Sequence, residues 1–297
     1  MLSIRDLGLL LTPEPTTWQY PHADGSPPRE QKIIQQTVCF TELSANKLPK
    51  HAESFGNFAL EFRIDTLRKM GALPVFYIPQ ASGENDGAES LGATLVLQII
   101  DAMVSALRIE TIKESLETSS PEEVRNFTLG FTEGKFKDFS LNKTEALKTI
   151  EALTYALTPP QMLRSGLNAA LNFFYPTENS EYNESLHYYR QREWRITGNF
   201  AIKGKDVTQR PSEDDINKLL GIDAEFFGKL IETPSGMKKA ADLVLVYPSL
   251  NSRPIIELAN RVIVPAKAVD SAKTILSTLA NPPPVVSITE LDKKDTL

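Results

Sequence analysis

The stretch Val38–Ile78, VCFTELSANKLPKHAESFGNFALEFRIDTLRKMGALPVFYI, decides the fold, because it alternates strands and helices with almost no linker. In its FALEFRI segment, apolar side chains alternate with Ala, Glu and Arg, which is the period-two pattern of a strand with one buried face. The predicted elements are strands at 37–41, 58–64 and 73–78 and helices at 48–55 and 65–71. We therefore expect a compact core that places polar side chains at one edge of a sheet.

The rest of the chain adds a helical block and further strands. A long helix is predicted at 88–117, because apolar residues recur there at three- and four-residue steps. Other predicted helices lie at 143–157, 160–174, 212–219, 223–231 and 265–279, and other strands at 242–246, 261–264 and 285–288. The segments 188–196 and 199–203 are predicted to form a hairpin.

These elements predict an α+β fold, with a mixed β-sheet core and a helical insertion at about 85–175. A single domain over 31–297 is expected, and two domains are the alternative. Residues 1–30 are rich in Pro, Thr and polar side chains, so they are predicted to form an extended N-terminal arm or a long loop.

Composition limits the function classes. The net charge of −6 and a pI of about 5.3 argue against coating nucleic acid, which requires a basic face, so nucleic-acid binding is expected to be absent or weak. Cys39 is the single cysteine, which is typical of a reducing compartment, and a cytoplasmic location is expected. The apolar run 91–107 contains Gln98, Asp101 and Ser105, so it predicts a buried helix and no membrane span.

Few residues carry obvious chemistry. His51 follows the first strand of the core, where it is a candidate catalytic base, a phosphate contact or a structural hydrogen-bonding group. His22, His51 and His187 lack the spacing of a metal site, and Cys39 adds no partner to them. No phosphate-binding glycine loop or nucleophile elbow is present. The sequence thus predicts neither a metal nor a cofactor.

The segment YYRQREWRI at 188–196 offers the strongest candidate site. Glu193 and Arg195 share one face of a strand, and Trp194 points to the other. One interpretation is a structural ion pair with Trp194 buried. The other is a carboxylate held beside a guanidinium at a pocket rim, where Arg195 binds phosphate or carboxylate and Glu193 polarises a hydroxyl. Tyr77 and Tyr189 are further candidate ligand contacts.

The order of these elements resembles a known family. The elements of this chain that carry the resemblance are Cys39–Phe40, the helix with His51, the PVFYI group, the YYRQREWRI segment and VIVP before a helix. This set resembles the AbiGi-type family of antitoxins from abortive phage-infection systems. It is also similar to a broader group of uncharacterised bacterial proteins that share the CF, H/G and EWR elements. The resemblance implies a phage-defence role with a protein partner, a toxin resembling a nucleotidyltransferase.

Two functions therefore remain open. As an antitoxin or regulator of a toxin, the protein would need an exposed apolar surface on the helical block, and the Glu193 carboxylate would be dispensable. As a small-molecule or nucleotide-binding enzyme, of ADP-ribosyltransferase-like type, it would bring His51, Tyr77 and Glu193 to one cleft, with Arg195 on phosphate.

Overall fold

The computed structural model describes residues 2–291 except for 21–28, 44–46, 79–86, 121–123, 131–135, 156–159, 177–191, 199–200, 203–204 and 234–235. The strands are β1 Leu9–Tyr20, β2 Arg29–Thr41, β3 Ala59–Glu61, β4 Leu73–Pro74, β5 Phe76–Ile78, β6 Val124–Gly130, β7 Phe136–Asn142, β8 Phe174–Pro176, β9 Glu193–Thr197, β10 Ala201–Ile202, β11 Lys205–Asp206, β12 Leu230–Thr233, β13 Gly236–Lys239, β14 Leu245–Tyr247, β15 Ser249–Leu250, β16 Arg253–Pro254, β17 Arg261–Val264 and β18 Val285–Ser287. The helices are α1 Leu2–Leu7, α2 Leu48–Phe55, α3 Ile64–Lys69, α4 Gly87–Thr118, α5 Lys143–Tyr155, α6 Pro160–Leu171, α7 Glu213–Ile222, α8 Ala224–Gly228, α9 Ala240–Leu243, α10 Val269–Leu276 and α11 Ile288–Leu291.

The predicted α+β class is confirmed, and the chain divides into two compact units. The first unit combines Met1–Ala93 with Asn172–Leu297 and contains the sheets that carry the candidate site. The second unit is Thr94–Leu171. It holds most of α4, the antiparallel hairpin of β6 and β7, and helices α5 and α6. The hairpin lies within the predicted helical insertion at about 85–175, between the helices predicted at 88–117 and 143–157, where no strand was expected.

Helix α4 is the longest element described, with 32 residues. Neither it nor any other helix in the described part of the chain combines the length and the apolar character that crossing a membrane requires.

The first unit is built around a five-stranded sheet in the order β14-β1-β2-β9-β4. Every neighbouring pair in this sheet is antiparallel. Across β2 and β9, Cys39 lies opposite Arg195 and Thr41 lies opposite Glu193. Across β1 and β2, Glu14 lies opposite Gln35. Because opposed residues project to the same face, this register gathers the polar side chains of three strands on one side of the sheet.

The two faces of this sheet differ in chemistry. The apolar face packs into a core whose buried side chains include Leu11, Met70, Ile196 and Ile255. The opposite face, here called the polar face, carries Glu14, Gln35, Thr37, Cys39, Glu193, Arg195 and Thr197. Most of these polar side chains are buried. Their burial requires compensating hydrogen bonds, and those bonds form the candidate site.

A smaller mixed sheet lies in the same unit. Its central strand β17 pairs parallel with β18 and antiparallel with β3. Val262, Val264 and Leu276 are buried in the cluster that joins this sheet to α10. The predicted strand at 261–264 and helix at 48–55 are found with these bounds.

The N-terminal segment differs from the predicted arm or loop. Leu9–Tyr20 is the strand β1, and its register places it between β14 and β2. Pro13 and Pro15 had suggested a loop, but the ladder tolerates them. Gly198 donates its N–H to the Gln36 carbonyl, so the backbone of Gln36 faces β9, and its partner Pro13 faces away from β2. The absent N–H of proline at such positions costs no ladder hydrogen bond.

The predicted hairpin of 188–196 with 199–203 is wrong in its pairing. In the described part of the chain, β9 pairs with β2 and β4, and β10 pairs with β11. The cause is long-range: the polar residues of β9 bond to partners on β1, β2 and β5, which local alternation does not reveal. The single strand predicted at 73–78 is split into β4 and β5, which belong to different sheets.

Candidate functional site

Arg195 is at the centre of the polar face. Its Nε donates to Glu193 Oε1 at 2.6 Å, and its Nη1 donates to Gln35 Oε1 at 2.8 Å. Nη1 also lies 3.5 Å from the backbone carbonyl of Asn172, and Nη2 lies 4.0 Å from Glu14 Oε2. Burial opposes the charged form, but the surrounding acidic groups outweigh it and raise the pKa of Arg195. The guanidinium therefore stays charged and is held on several sides.

Each carboxylate beside Arg195 also accepts a tyrosine hydroxyl. Tyr77 donates to Glu193 Oε2 at 2.6 Å, and Tyr175 donates to Glu14 Oε1 at 2.8 Å. Burial, followed by the hydrogen bond to Glu193 and its charge, raises the pKa of Tyr77, so this phenol remains a donor. The Tyr175 ring also lies under the guanidinium, 4.5 Å from ring centroid to Arg195 Cζ. Two Glu–Tyr pairs thus flank one arginine.

Gln35 connects this ionic cluster to the backbone. It is fully buried, and its side chain accepts from Arg195 while its Nε2 donates to the Phe174 carbonyl at 3.0 Å. Asn172 is also buried, and its Oδ1 has no hydrogen-bond partner in the described structure. The cluster is therefore a highly constrained group of polar side chains, with one buried acceptor left unsatisfied beside it.

A cavity of about 760 Å³ opens at this cluster. Glu193, Arg195 and Glu14 line it together with His51 from α2. The His51 ring stacks on Phe55, with 4.3 Å between ring centroids and 19° between planes. Burial lowers the pKa of His51, so the imidazole is neutral at pH 7. The structure thus brings His51 and Glu193 to one cavity, with Tyr77 bonded to the Glu193 carboxylate.

Cys39 shares this cavity wall, opposite Arg195 on the neighbouring strand. The residue is exposed, and desolvation, ahead of every other cause, raises the pKa of its thiol to about 12. Arg195 acts against this rise, and the Glu193 carboxylate adds to it. The Cys39 side chain thus faces the cavity.

We expect the Cys39 thiol to react slowly with alkylating reagents. A pKa of about 12, against an ordinary 9.0, lowers the thiolate fraction about thousandfold at neutral pH. Higher intrinsic nucleophilicity offsets part of this loss, so iodoacetamide should label the folded protein at least about tenfold more slowly than the urea-unfolded chain. Mass spectrometry measures both rates on the single cysteine. Slow labelling would not be explained by steric protection, since Cys39 is exposed. Equal rates would contradict the raised pKa.

Tyr189 was also predicted to contact a ligand, but it lies outside the described residues. Trp194 is half-buried on the opposite face and packs against the apolar core. The donors of Arg195 point to protein acceptors, so its observed role is to hold Glu193, and a phosphate would have to displace these acceptors.

Sequence reasoning missed Glu14, Gln35, Asn172 and Tyr175. The first was assigned to the arm, and the alternation of polar and other residues along T-P-E-P-T was the signal that could have placed it on a strand. Gln35, Asn172 and Tyr175 lie on other elements of the chain, and only the tertiary fold brings them to Arg195. Among the described residues, no group of three or more His, Cys, Asp or Glu side chains could hold a metal ion.

The geometry defines an α+β protein in which the buried Glu193–Arg195 pair and the half-buried Glu14 lie at the wall of a cavity. The sequence model of the family described as "Putative abortive phage resistance protein AbiGi, antitoxin" matches residues 30–220, which is more than half of the chain. The protein therefore belongs to the AbiGi family. The match covers β2, α2 and β9, and so includes Cys39, His51, Glu193 and Arg195. Neither the search of curated proteins nor that of solved structures finds a match.

Proposed function

We propose that this protein is the antitoxin of an abortive phage-infection system and acts by binding its toxin, a protein that resembles a nucleotidyltransferase. The observation that carries the proposal is the family match over residues 30–220. The cytoplasm is the proposed site of action, since a toxin that stops phage growth works where the phage replicates.

The surface of the second unit supports a protein partner. Large apolar side chains exposed on α4 and α6 are Leu95, Val104, Leu107, Ile109, Ile112, Met162 and Leu163. On α4 they do not form one stripe. Leu95 and Val104 are nine residues apart, which is two and a half helical turns, so they point to opposite sides of the helix. Exposed apolar side chains gathered on one part of a protein surface mark an interaction site, and a toxin would provide the cover.

Co-expression tests the proposal. The toxin encoded with this protein at its native locus is induced in bacteria with and without the full-length chain, and growth is followed. We expect the chain to restore growth and to co-elute with the tagged toxin on size exclusion. Failure to do either, at matched expression of soluble chain, would refute the antitoxin function.

A second candidate is a small-molecule or nucleotide-binding activity of ADP-ribosyltransferase-like type. The observation that favours it is the placement of Glu193 and His51 on one cavity, with Tyr77 bonded to Glu193. In such a site Glu193 would orient a ribose hydroxyl. A thermal-shift panel of nicotinamide dinucleotides, ADP-ribose and nucleoside triphosphates tests it, because a ligand that binds the native state raises the melting temperature. A shift lost in both Glu193→Gln and His51→Ala would support this activity, and the absence of any shift would reject it.

A further inference from the structure

The charged side chains that line the cavity include more carboxylates than guanidinium groups. Its charged wall residues are Glu14, Glu42, Glu61, Glu193, Arg195 and Arg261. Glu61 bonds to Arg261, and Glu42 pairs with Arg192 at 3.4 Å. Glu14 and Glu193 have only Arg195 between them, so this cluster carries a formal charge of −1. His51, which is neutral, adds no positive charge to compensate it.

Both arginines of the cavity wall are already engaged. Arg195 donates to Glu193 and Gln35, and the Nε of Arg261 donates to Glu61. A phosphate or carboxylate ligand would have to break these charge-assisted hydrogen bonds and would also face the excess negative charge. The described wall therefore disfavours anions.

The remaining wall is apolar and combines aliphatic with aromatic side chains. Its aromatic part, here called the aromatic wall, includes Phe55 with its stacked His51, Phe58 and Tyr175. Aromatic faces attract cations, most strongly where water is excluded. The described structure already contains two such contacts, since Arg195 lies over the ring of Tyr175 and Arg68 lies over that of Trp194. Carboxylates beside aromatic faces form a surface that suits an organic cation.

We infer that this cavity binds an organic cation with N–H donors, a guanidinium or a primary ammonium, that hydrogen-bonds to Glu14 and Glu193 and packs its apolar body against the aromatic wall. The cavity volume of about 760 Å³ is within the range of about 300–1,000 Å³ typical of small-molecule sites. The cation is either a free small molecule or an arginine side chain presented by a peptide. This inference concerns the cavity of the second candidate function and does not depend on toxin binding.

Isothermal titration of the full-length protein with matched probes tests the inference. Butylguanidinium is compared with butylurea, its neutral isostere, and with the anion ADP-ribose. We expect butylguanidinium to bind at least about tenfold more tightly than butylurea, since a hydrogen bond to a charged group contributes about that factor, and ADP-ribose not to bind. The tripeptide Gly-Arg-Gly and its citrulline analogue form a second pair. Tighter binding of the arginine peptide than of butylguanidinium identifies a protein side chain as the ligand, and the reverse identifies a free small molecule.

Glutamine variants locate the site. Glu14→Gln keeps an oxygen for Tyr175, and Glu193→Gln keeps one for Tyr77. We expect each to weaken binding of butylguanidinium about tenfold. Glu232→Gln is the matched control, because Glu232 pairs with Lys32 on the exposed surface, and it should leave affinity unchanged.

Three results would overturn the inference. They are equal affinity for butylguanidinium and butylurea, no binding of either guanidinium probe, and unchanged affinity in both cavity variants. Thermal melting first checks whether each variant unfolds cooperatively. One variant that does so is sufficient for the comparison. Binding of ADP-ribose without butylguanidinium would overturn the inference while supporting the second candidate function.

Discussion

Arg195→Met should destabilise the protein by about 3–5 kcal/mol, because it leaves the carboxylates of Glu193 and Glu14 without their shared positive partner. Arg195 and Glu193 are among the most buried charged side chains described, 3% and 6% exposed. Removing one partner of a buried ion pair costs more than the pair contributes, since the remaining charge is desolvated and uncompensated. Urea denaturation followed by circular dichroism measures the change in the free energy of unfolding.

Two further variants show whether the effect has this cause. In Arg195→Met with Glu193→Gln, the more buried of the two orphaned charges is removed, so the double variant should be more stable than Arg195→Met alone. Arg192→Met is the matched control three residues earlier in the chain, where the pair of Arg192 with Glu42 is exposed and contributes at most about 1 kcal/mol. If Arg195→Met cost no more than Arg192→Met, the central role of Arg195 in the polar face would be wrong.

The sequence predicted the part of this cluster that lies within one strand. Glu193 and Arg195 have the i, i+2 spacing of a shared strand face, and the structure pairs them at 2.6 Å. It did not predict Glu14 as a neighbour of this pair, and it placed Tyr77 near Glu193 only in the enzyme alternative. Tyr77 and its acceptor Glu193 are 116 residues apart, and their contact depends on how β5 is placed against β9. Periodicity specifies which face a side chain uses, but it does not specify which distant strand meets that face.

The same limit explains the errors in the fold. Helix α2 and strand β17 were predicted with their observed bounds, because Pro, Gly and local periodicity mark both ends. Strand β1 was missed because its two prolines are usual loop signals. Their tolerance depends on the direction in which each backbone nitrogen faces, which is set by the pairing of β1 with β2. Secondary structure was thus predictable where local signals dominate, and unpredictable where sheet register decides.

Val104→Gln combined with Leu107→Gln should weaken toxin binding about hundredfold or more and abolish growth rescue. The two residues are three apart on α4, so they share one side of the helix, and their side chains are 40% and 48% exposed. Burying an apolar side chain of this size in an interface contributes about 1.5–3 kcal/mol, and glutamine forgoes that gain while keeping helix propensity. Since both positions are exposed in the free protein, the free energy of unfolding should change by less than about 1 kcal/mol.

The control for this prediction is Met237→Gln, which makes the same kind of change in the first unit. Met237 is 59% exposed on β13, so it matches the α4 positions in chemistry and exposure while lying outside the helical block. Binding is measured by titrating the toxin against each purified variant, and growth rescue is measured in parallel. A toxin that bound the α4 variant as tightly as wild type would exclude this side of α4 from the interface. A toxin that covers only one of the two surfaces loses affinity only when that surface is altered. If Met237→Gln weakened binding and the α4 variant did not, the toxin-binding surface would therefore lie on the first unit.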